Sequence, residues 1–132
     1  MDARRIEEPY PFQSHLGFEM VAWEPDYARF EQPVTDVLAN RHGNLHGGVY
    51  AALLDTVMGY AGCYTGDPER RQMALTLSLT VNFLSRPKGR RLIAEGRRTG
   101  GGRRSFFAEA EARDETGERL ATATGVFRYR DG

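Results

Sequence analysis

Cysteine, lysine and tryptophan each occur only once in these 132 residues, and the formal net charge is zero. A lone cysteine, Cys63, cannot form an internal disulfide, so a reducing, cytoplasmic setting is the simplest expectation. A balanced charge argues against a nucleic-acid binder that relies on bulk positive potential. No apolar run reaches membrane-spanning length, and the first residues, Met1-Asp-Ala-Arg-Arg-Ile-Glu-Glu, lack the apolar core of a signal peptide. Low-complexity segments, repeats and composition breaks are absent too. The chain therefore reads as an N-terminal arm over residues 1–15, charged and carrying Pro9 and Pro11, followed by one domain over 16–132.

Within that domain the hydrophobic periodicity changes twice. Two strand-like stretches, Phe18–Trp23 and Tyr27–Gln32, flank the turn residues Glu24-Pro25-Asp26. From about Gly48 to Tyr64 the apolar residues leave almost no polar face, which is the pattern of a buried helix. Gly59 and Gly62 interrupt it and Thr65-Gly66-Asp67-Pro68 ends it. Four more strands are expected in series, at residues 73–84, 91–99, 105–113 and 119–129. The clearest alternation is Leu75, Leu77, Leu79, Val81 and Phe83. Their separators are short, so successive strands are expected to close antiparallel hairpins. One long buried helix with an antiparallel sheet implies that the sheet curves around the helix. The fold class is α+β.

Two features suggest chemistry. The glycines of Gly43-Asn44-Leu45-His46-Gly47-Gly48 stand where the helix should begin, so unpaired backbone N–H groups can meet a ligand without side chains in the way. The helix dipole favours negative charge there, as an oxyanion site requires. An ordinary glycine-rich turn would look the same. The second feature is Asp55, a single carboxylate within the apolar helix. Buried charges are costly, so it reads either as a hydrogen-bonded core group or as a general base or nucleophile at a cleft. Gly47 and Asp55 are eight residues apart, roughly 12 Å along a helix. If both act on one bond, they must come from different subunits.

The pattern Asn40-x5-His46-Gly47-Gly48-x6-Asp55, with Thr76 and Val81-Asn-Phe83-Leu-Ser85-Arg-Pro87 downstream, resembles the hotdog-fold thioesterases. Within them it is most similar to the phenylacetate-degradation (PaaI-like) branch of the 4-hydroxybenzoyl-CoA thioesterase superfamily, over about residues 16–129. The resemblance implies a central helix wrapped by a curved sheet, dimers and often tetramers, and hydrolysis of an acyl-CoA with an aryl or a short to medium chain. It implies that Gly47 N–H polarises the thioester carbonyl and that Asp55 of the partner subunit is the catalytic carboxylate. Asn40 would lie near the water or thioester, His46 would order the loop, and Thr76 would position the water. Phe83, Ser85, Pro87 and Lys88, with Gly102, Arg103, Arg104 and Ser105, would line the coenzyme A channel. Coenzyme A is then part of the substrate, and no cofactor, metal, nucleic acid or membrane partner is expected. Relatives tend to carry a single glycine where this chain has Gly100-Gly101-Gly102.

Other readings compete. A non-catalytic acyl-CoA sensor on the same fold would have no need of Asp55, and an acyl-carrier-protein thioesterase would share the whole constellation. A hotdog dehydratase usually pairs its Asp with a differently placed His, and no His follows residue 46. An RNA-binding α+β module is disfavoured by the neutral charge. His42 and His46 lack the further ligands of a zinc shell, and Cys63 has no later His to activate it.

Overall fold

The structure is a computed structural model and describes residues 7–131. A short helix α1 (Pro11–Leu16) lies within the segment read as an arm, with proline in its first turn and Gly17, at φ 92°, closing it. Strands β1 (Glu19–Glu24) and β2 (Tyr27–Pro33) pair antiparallel. A 3₁₀ turn at Asp36–Leu38 leads to the main helix, α2 (Gly47–Ala61). Four long strands follow: β3 (Met73–Phe83), β4 (Arg91–Gly101), β5 (Ser105–Asp114) and β6 (Arg119–Arg130). Together the strands form one six-stranded sheet in the order β1-β2-β4-β5-β6-β3, antiparallel throughout. The hotdog α+β architecture expected from the sequence is therefore present. Among the described residues no helix is long and apolar enough to cross a membrane.

Helix α2 lies on the concave side of the sheet. Val49, Tyr50, Leu53, Leu54, Val57, Met58 and Ala61 recur at one- and three-residue steps and are all buried. They pack against inward side chains such as Phe30, Leu92, Ala94, Phe106, Ala110 and Phe127. The approach is close enough to dictate a glycine: a Cβ on Gly96 of β4 would stand 2.6 Å from the Val57 carbonyl oxygen. The opposite flank of α2, including Ala52, Asp55, Thr56 and Gly59, is only half-buried, so one subunit does not enclose the helix completely.

One expected pairing does not occur. Residues 84–90 do not close a hairpin between β3 and β4; β3 pairs only with β6 and occupies a sheet edge. A buried carboxylate anchors the connection that runs there instead. Asp114, 1% exposed, accepts hydrogen bonds from the N–H groups of Lys88 (2.7 Å), Gly89 (2.8 Å), Thr116 (2.9 Å) and Glu118 (3.1 Å), and from the Thr116 hydroxyl (2.6 Å). The β3–β4 connection is thereby fastened to the β5–β6 turn. Burial alone would raise the Asp114 pKa, but these donors outweigh it and hold the carboxyl well below the usual range. Asp114→Ala would orphan several donors at once and is expected to cost about 3–5 kcal/mol of stability, read by urea denaturation. Because the folded pKa is depressed, the Asp114 contribution is complete above the unfolded value near pH 4 and is lost as the pH falls below it.

Strand β3 also shows an unusual exposure pattern. Leu75, Leu77, Leu79 and Phe83 alternate in sequence, but the register shift between Thr76 and Ser78 puts Leu75 on the opposite face from Leu79 and Phe83; the four are 49%, 60%, 36% and 58% exposed. An edge strand with free backbone groups and an apolar surface is a template for pairing with another strand.

Candidate active site

The candidate site residues fall into two groups, about two helical turns apart along α2. The first surrounds the start of α2. His46 is the N-cap, and its Nδ1 accepts from Gly48 N–H at 2.8 Å, so the neutral ring carries its proton on Nε2. Asn40 folds the preceding loop: its Oδ1 accepts from His42 N–H (2.9 Å) and Asn44 N–H (3.1 Å). With Gly48 N–H bound to His46 and Val49 N–H to the His46 carbonyl, Gly47 N–H has no acceptor among the described residues. It is a donor at the positive end of the helix dipole. The Phe83 ring stands over it, 3.3 Å from where a Gly47 Cβ would be, and packs edge-on against Tyr50 at 6.0 Å.

Beyond Phe83, the loop Leu84–Lys88 forms a shallow groove. Ser85 donates to Glu118 at 3.2 Å, and Lys88 pairs with the same carboxylate at 3.1 Å. Both side chains are exposed enough to exchange that partner for a ligand.

The second group surrounds Asp55. The Thr76 hydroxyl of β3 donates to Asp55 Oδ1 at 2.7 Å, leaving Oδ2 without a protein donor among the described residues. Asp55 opens onto a cleft of about 410 Å³ walled by Gly59, Cys63, Met73, Ala74 and Phe127. Burial raises the Asp55 pKa, and the Thr76 hydrogen bond offsets that only in part. A raised carboxyl is a stronger base than an ordinary one when ionised. Burial, and secondarily the Glu7 carboxylate, push the Cys63 thiol up to about 12, so it stays protonated and is a poor nucleophile.

The two proposed coenzyme A segments are likewise apart. Phe83 pairs with Ala121 of β6, whereas Ser105 pairs with Arg128. Seven residues along one strand separate them, about 23 Å. Gly102, Arg103 and Arg104 are exposed at the β4–β5 turn, where Gly102 N–H bonds the Ser105 carbonyl at 2.9 Å. They belong with the Asp55 end; Ser85, Pro87 and Lys88 belong with the Gly47 end.

Sequence reasoning missed part of the Asp55 cleft. Glu7 and Tyr10 from the N-terminal segment, Thr56 of α2 and Arg71 before β3 also line it. Nothing in the local pattern marks residues 7 and 10, because only the fold brings them to the helix. Asp114 could have been suspected from the turn chemistry of Asp114-Glu-Thr-Gly117.

Comparison with known proteins agrees with this geometry. The thioesterase superfamily model matches residues 42–121, spanning both the Gly47 loop and Asp55. A thioesterase family protein from Silicibacter pomeroyi is 26% identical, with a TM-score of 0.84 and all of each chain covered. A conserved protein from Pseudomonas aeruginosa is also 26% identical, at a TM-score of 0.86 over 97% of this chain and 99% of that one. In fold, the chain is equally similar to the PaaI protein of the Escherichia coli phenylacetic acid degradation operon (21% identity, TM-score 0.84, 99% and 92% covered). With the helix-start donor, the cleft carboxylate and the matched region coinciding, the chain belongs to the thioesterase superfamily and is a hotdog-fold thioester hydrolase.

Proposed function

We propose that the protein hydrolyses an acyl-CoA to the free acid and coenzyme A in sites shared by the two subunits of a homodimer. The observation that carries this reading is the separation of Asp55 from the unpaired Gly47 N–H by two helical turns. Each group is suited to one half of the reaction, and they cannot reach one carbonyl within one chain. The edge strand β3 supplies the means of joining them, since it runs from Thr76 beside Asp55 to Phe83 beside Gly47. Antiparallel pairing of two β3 strands about a two-fold axis sets the Thr76 end of one against the Phe83 end of the other. Its exposed leucines would be covered in the same step.

In this scheme Gly47 N–H and the helix dipole stabilise the oxyanion as water attacks the thioester carbon, while Asp55 of the partner subunit takes the water proton. Thr76 holds the Asp55 carboxylate in place. The carbon–sulfur bond then breaks and the thiolate departs, taking up a proton. If Asp55 attacks directly, the thiolate departs as a mixed anhydride forms, and water then opens the anhydride at the Asp55 carbonyl carbon. A single turnover in ¹⁸O-labelled water separates the routes, because only the anhydride route puts label into the Asp55 carboxyl. No step calls on a cofactor; coenzyme A enters as part of the substrate. Its phosphates would meet Lys88 of the subunit presenting Gly47 and Arg103 and Arg104 of the subunit presenting Asp55. An alternative substrate, the thioester of an acyl-carrier protein, would react by the same steps with the carrier's thiol as the leaving group.

The test is thiol release from a panel of aryl-, short- and long-chain acyl-CoAs beside acyl-carrier-protein thioesters. Acyl-CoA cleavage is expected, with KM raised about ten-fold in a Lys88→Ala, Arg103→Ala, Arg104→Ala triple variant, for the loss of charge-assisted phosphate contacts. Cleavage of carrier-protein thioesters alone would overturn the coenzyme A assignment.

A further inference from the structure

The cleft at Asp55 continues past the carboxylate, and its continuation is closed by residues that do not belong to the catalytic elements. Along α2 it extends from Asp55 to Tyr60, five residues or about 7.5 Å. Along β3 it extends back from Thr76 to Met73, about 10 Å. Beyond these lies a polar latch. Glu7, whose side chain is 13% exposed, accepts from the Tyr60 hydroxyl at 3.0 Å and forms an ion pair with Arg71 at 3.2 Å. Nearer the carboxylate, the Tyr10 hydroxyl bonds the Thr56 hydroxyl at 2.5 Å, and the Tyr10 ring packs edge-on against Phe18. The N-terminal segment is therefore fastened across the cleft at two points.

We propose that Glu7, Tyr10 and Arg71 form the closed end of the acyl pocket and determine specificity, admitting compact acyl groups and excluding long linear ones. The inference rests on the reading of Asp55 as the catalytic carboxylate, because that places the reacting carbonyl at the near end of the cleft. A compact acyl group would extend from Asp55 between Phe127 and Met73 and end against the rings of Tyr10 and Tyr60, short of the Glu7–Arg71 pair. A long chain continuing in that direction meets the Glu7–Arg71 pair. It would separate the Glu7 carboxylate from Arg71 and strip the Tyr60 hydroxyl of its acceptor, and methylene groups cannot replace those bonds. Rejection through paired polar groups is stronger than a merely tight apolar wall provides. The segment is a ruler held in place by hydrogen bonds.

The test compares kcat/KM for benzoyl-, hexanoyl- and hexadecanoyl-CoA in the wild type and in Tyr10→Ala, Glu7→Ala and Arg71→Ala. Arg71 is largely exposed, so Arg71→Ala keeps the question open to measurement if either of the others fails to fold. The wild type is expected to favour benzoyl- and hexanoyl-CoA over hexadecanoyl-CoA by at least about ten-fold. Each variant should narrow that gap by about ten-fold, through a lower KM for hexadecanoyl-CoA. Affinities of the non-hydrolysable hexyl and hexadecyl thioethers of coenzyme A should show the same selectivity without turnover. Wild-type length profiles in folded variants, or a wild type indifferent to length, would overturn the ruler. Failure of Asp55 as the catalytic group would show separately, as turnover surviving in Asp55→Asn while thioether selectivity is unaffected.

Discussion

Asp55→Asn is expected to lower turnover by about three orders of magnitude, in line with loss of a general base, while leaving the protein as stable as the wild type or more so. Asparagine has nearly the same shape, and its Oδ1 still accepts the Thr76 hydroxyl that now lies 2.7 Å from the carboxylate. What it removes is the ionised group. The folded-state pKa of Asp55 is raised by burial, so the native protein holds this proton more tightly than the unfolded chain does. A group of this kind favours the folded state most below its unfolded pKa near 3.9, and that advantage declines as the pH rises through the raised folded value. At neutral pH the ionised Asp55 is therefore a cost to stability, which asparagine relieves. The same shift sets the pH profile: kcat/KM should rise ten-fold per pH unit below the Asp55 pKa and level off above it, with an inflection above the ordinary carboxylate range. Stopped-assay rates and thermal melts on the same preparations read both effects. Wild-type rates in purified Asp55→Asn on every substrate cleaved would refute the assignment.

Placing a charge on the free edge of β3 is expected to have an equally large effect from outside the site. Leu77 is 60% exposed in the single subunit and lies at the register shift between Thr76 and Ser78. In a two-fold pairing through β3, Leu77→Glu would bring like charges from both subunits into one apolar seam. Light scattering coupled to size exclusion should then show monomers, and turnover should fall by about two orders of magnitude or more, because each monomer keeps only half of every site. A wild type that is fully active as a strict monomer would defeat the shared-site scheme.

Complementation gives the sharper version. Asp55→Asn and Gly47→Val homodimers should each be inactive, since valine would cover the Gly47 N–H and crowd the Phe83 ring. Their co-expressed mixture should recover roughly a quarter of wild-type activity, since half the dimers are mixed and each has one intact site. A mixture that stays inactive would place both groups of a site in the same chain.

Most of the architecture was legible in the sequence because it follows from short-range chemistry. The all-round apolar run after Gly48 requires a covered helix, and the observed α2 begins one residue earlier and ends three earlier than that pattern suggests. Pro25-Asp26 fits a tight turn, where Asp26 adopts a φ of 61°. The helix-start glycines and Asp55 could be found because a nearly apolar run makes its few exceptions conspicuous. His46 was expected to order its loop, and its contact with Gly48 N–H fits that role.

What remained hidden depends on contacts between residues distant in the chain. Local turn chemistry suggested a hairpin after β3, but the connection goes instead to Asp114, about 25 residues further on. The alternation in β3 revealed an apolar strand and could not reveal that the strand lies at a sheet edge or that a register shift at Leu77 divides its apolar residues between two faces. Residues 7 and 10 carried no signal, because an ion pair with Arg71 and a hydroxyl contact with Thr56 exist only after the chain has folded. The sequence by itself determined the helix, the strands and the two chemical groups, since periodicity and desolvation act on neighbouring residues. Only the tertiary structure decided how the connection after β3 is anchored and which residues line the cleft beside Asp55, because strand order and loop anchoring are set by long-range hydrogen bonds.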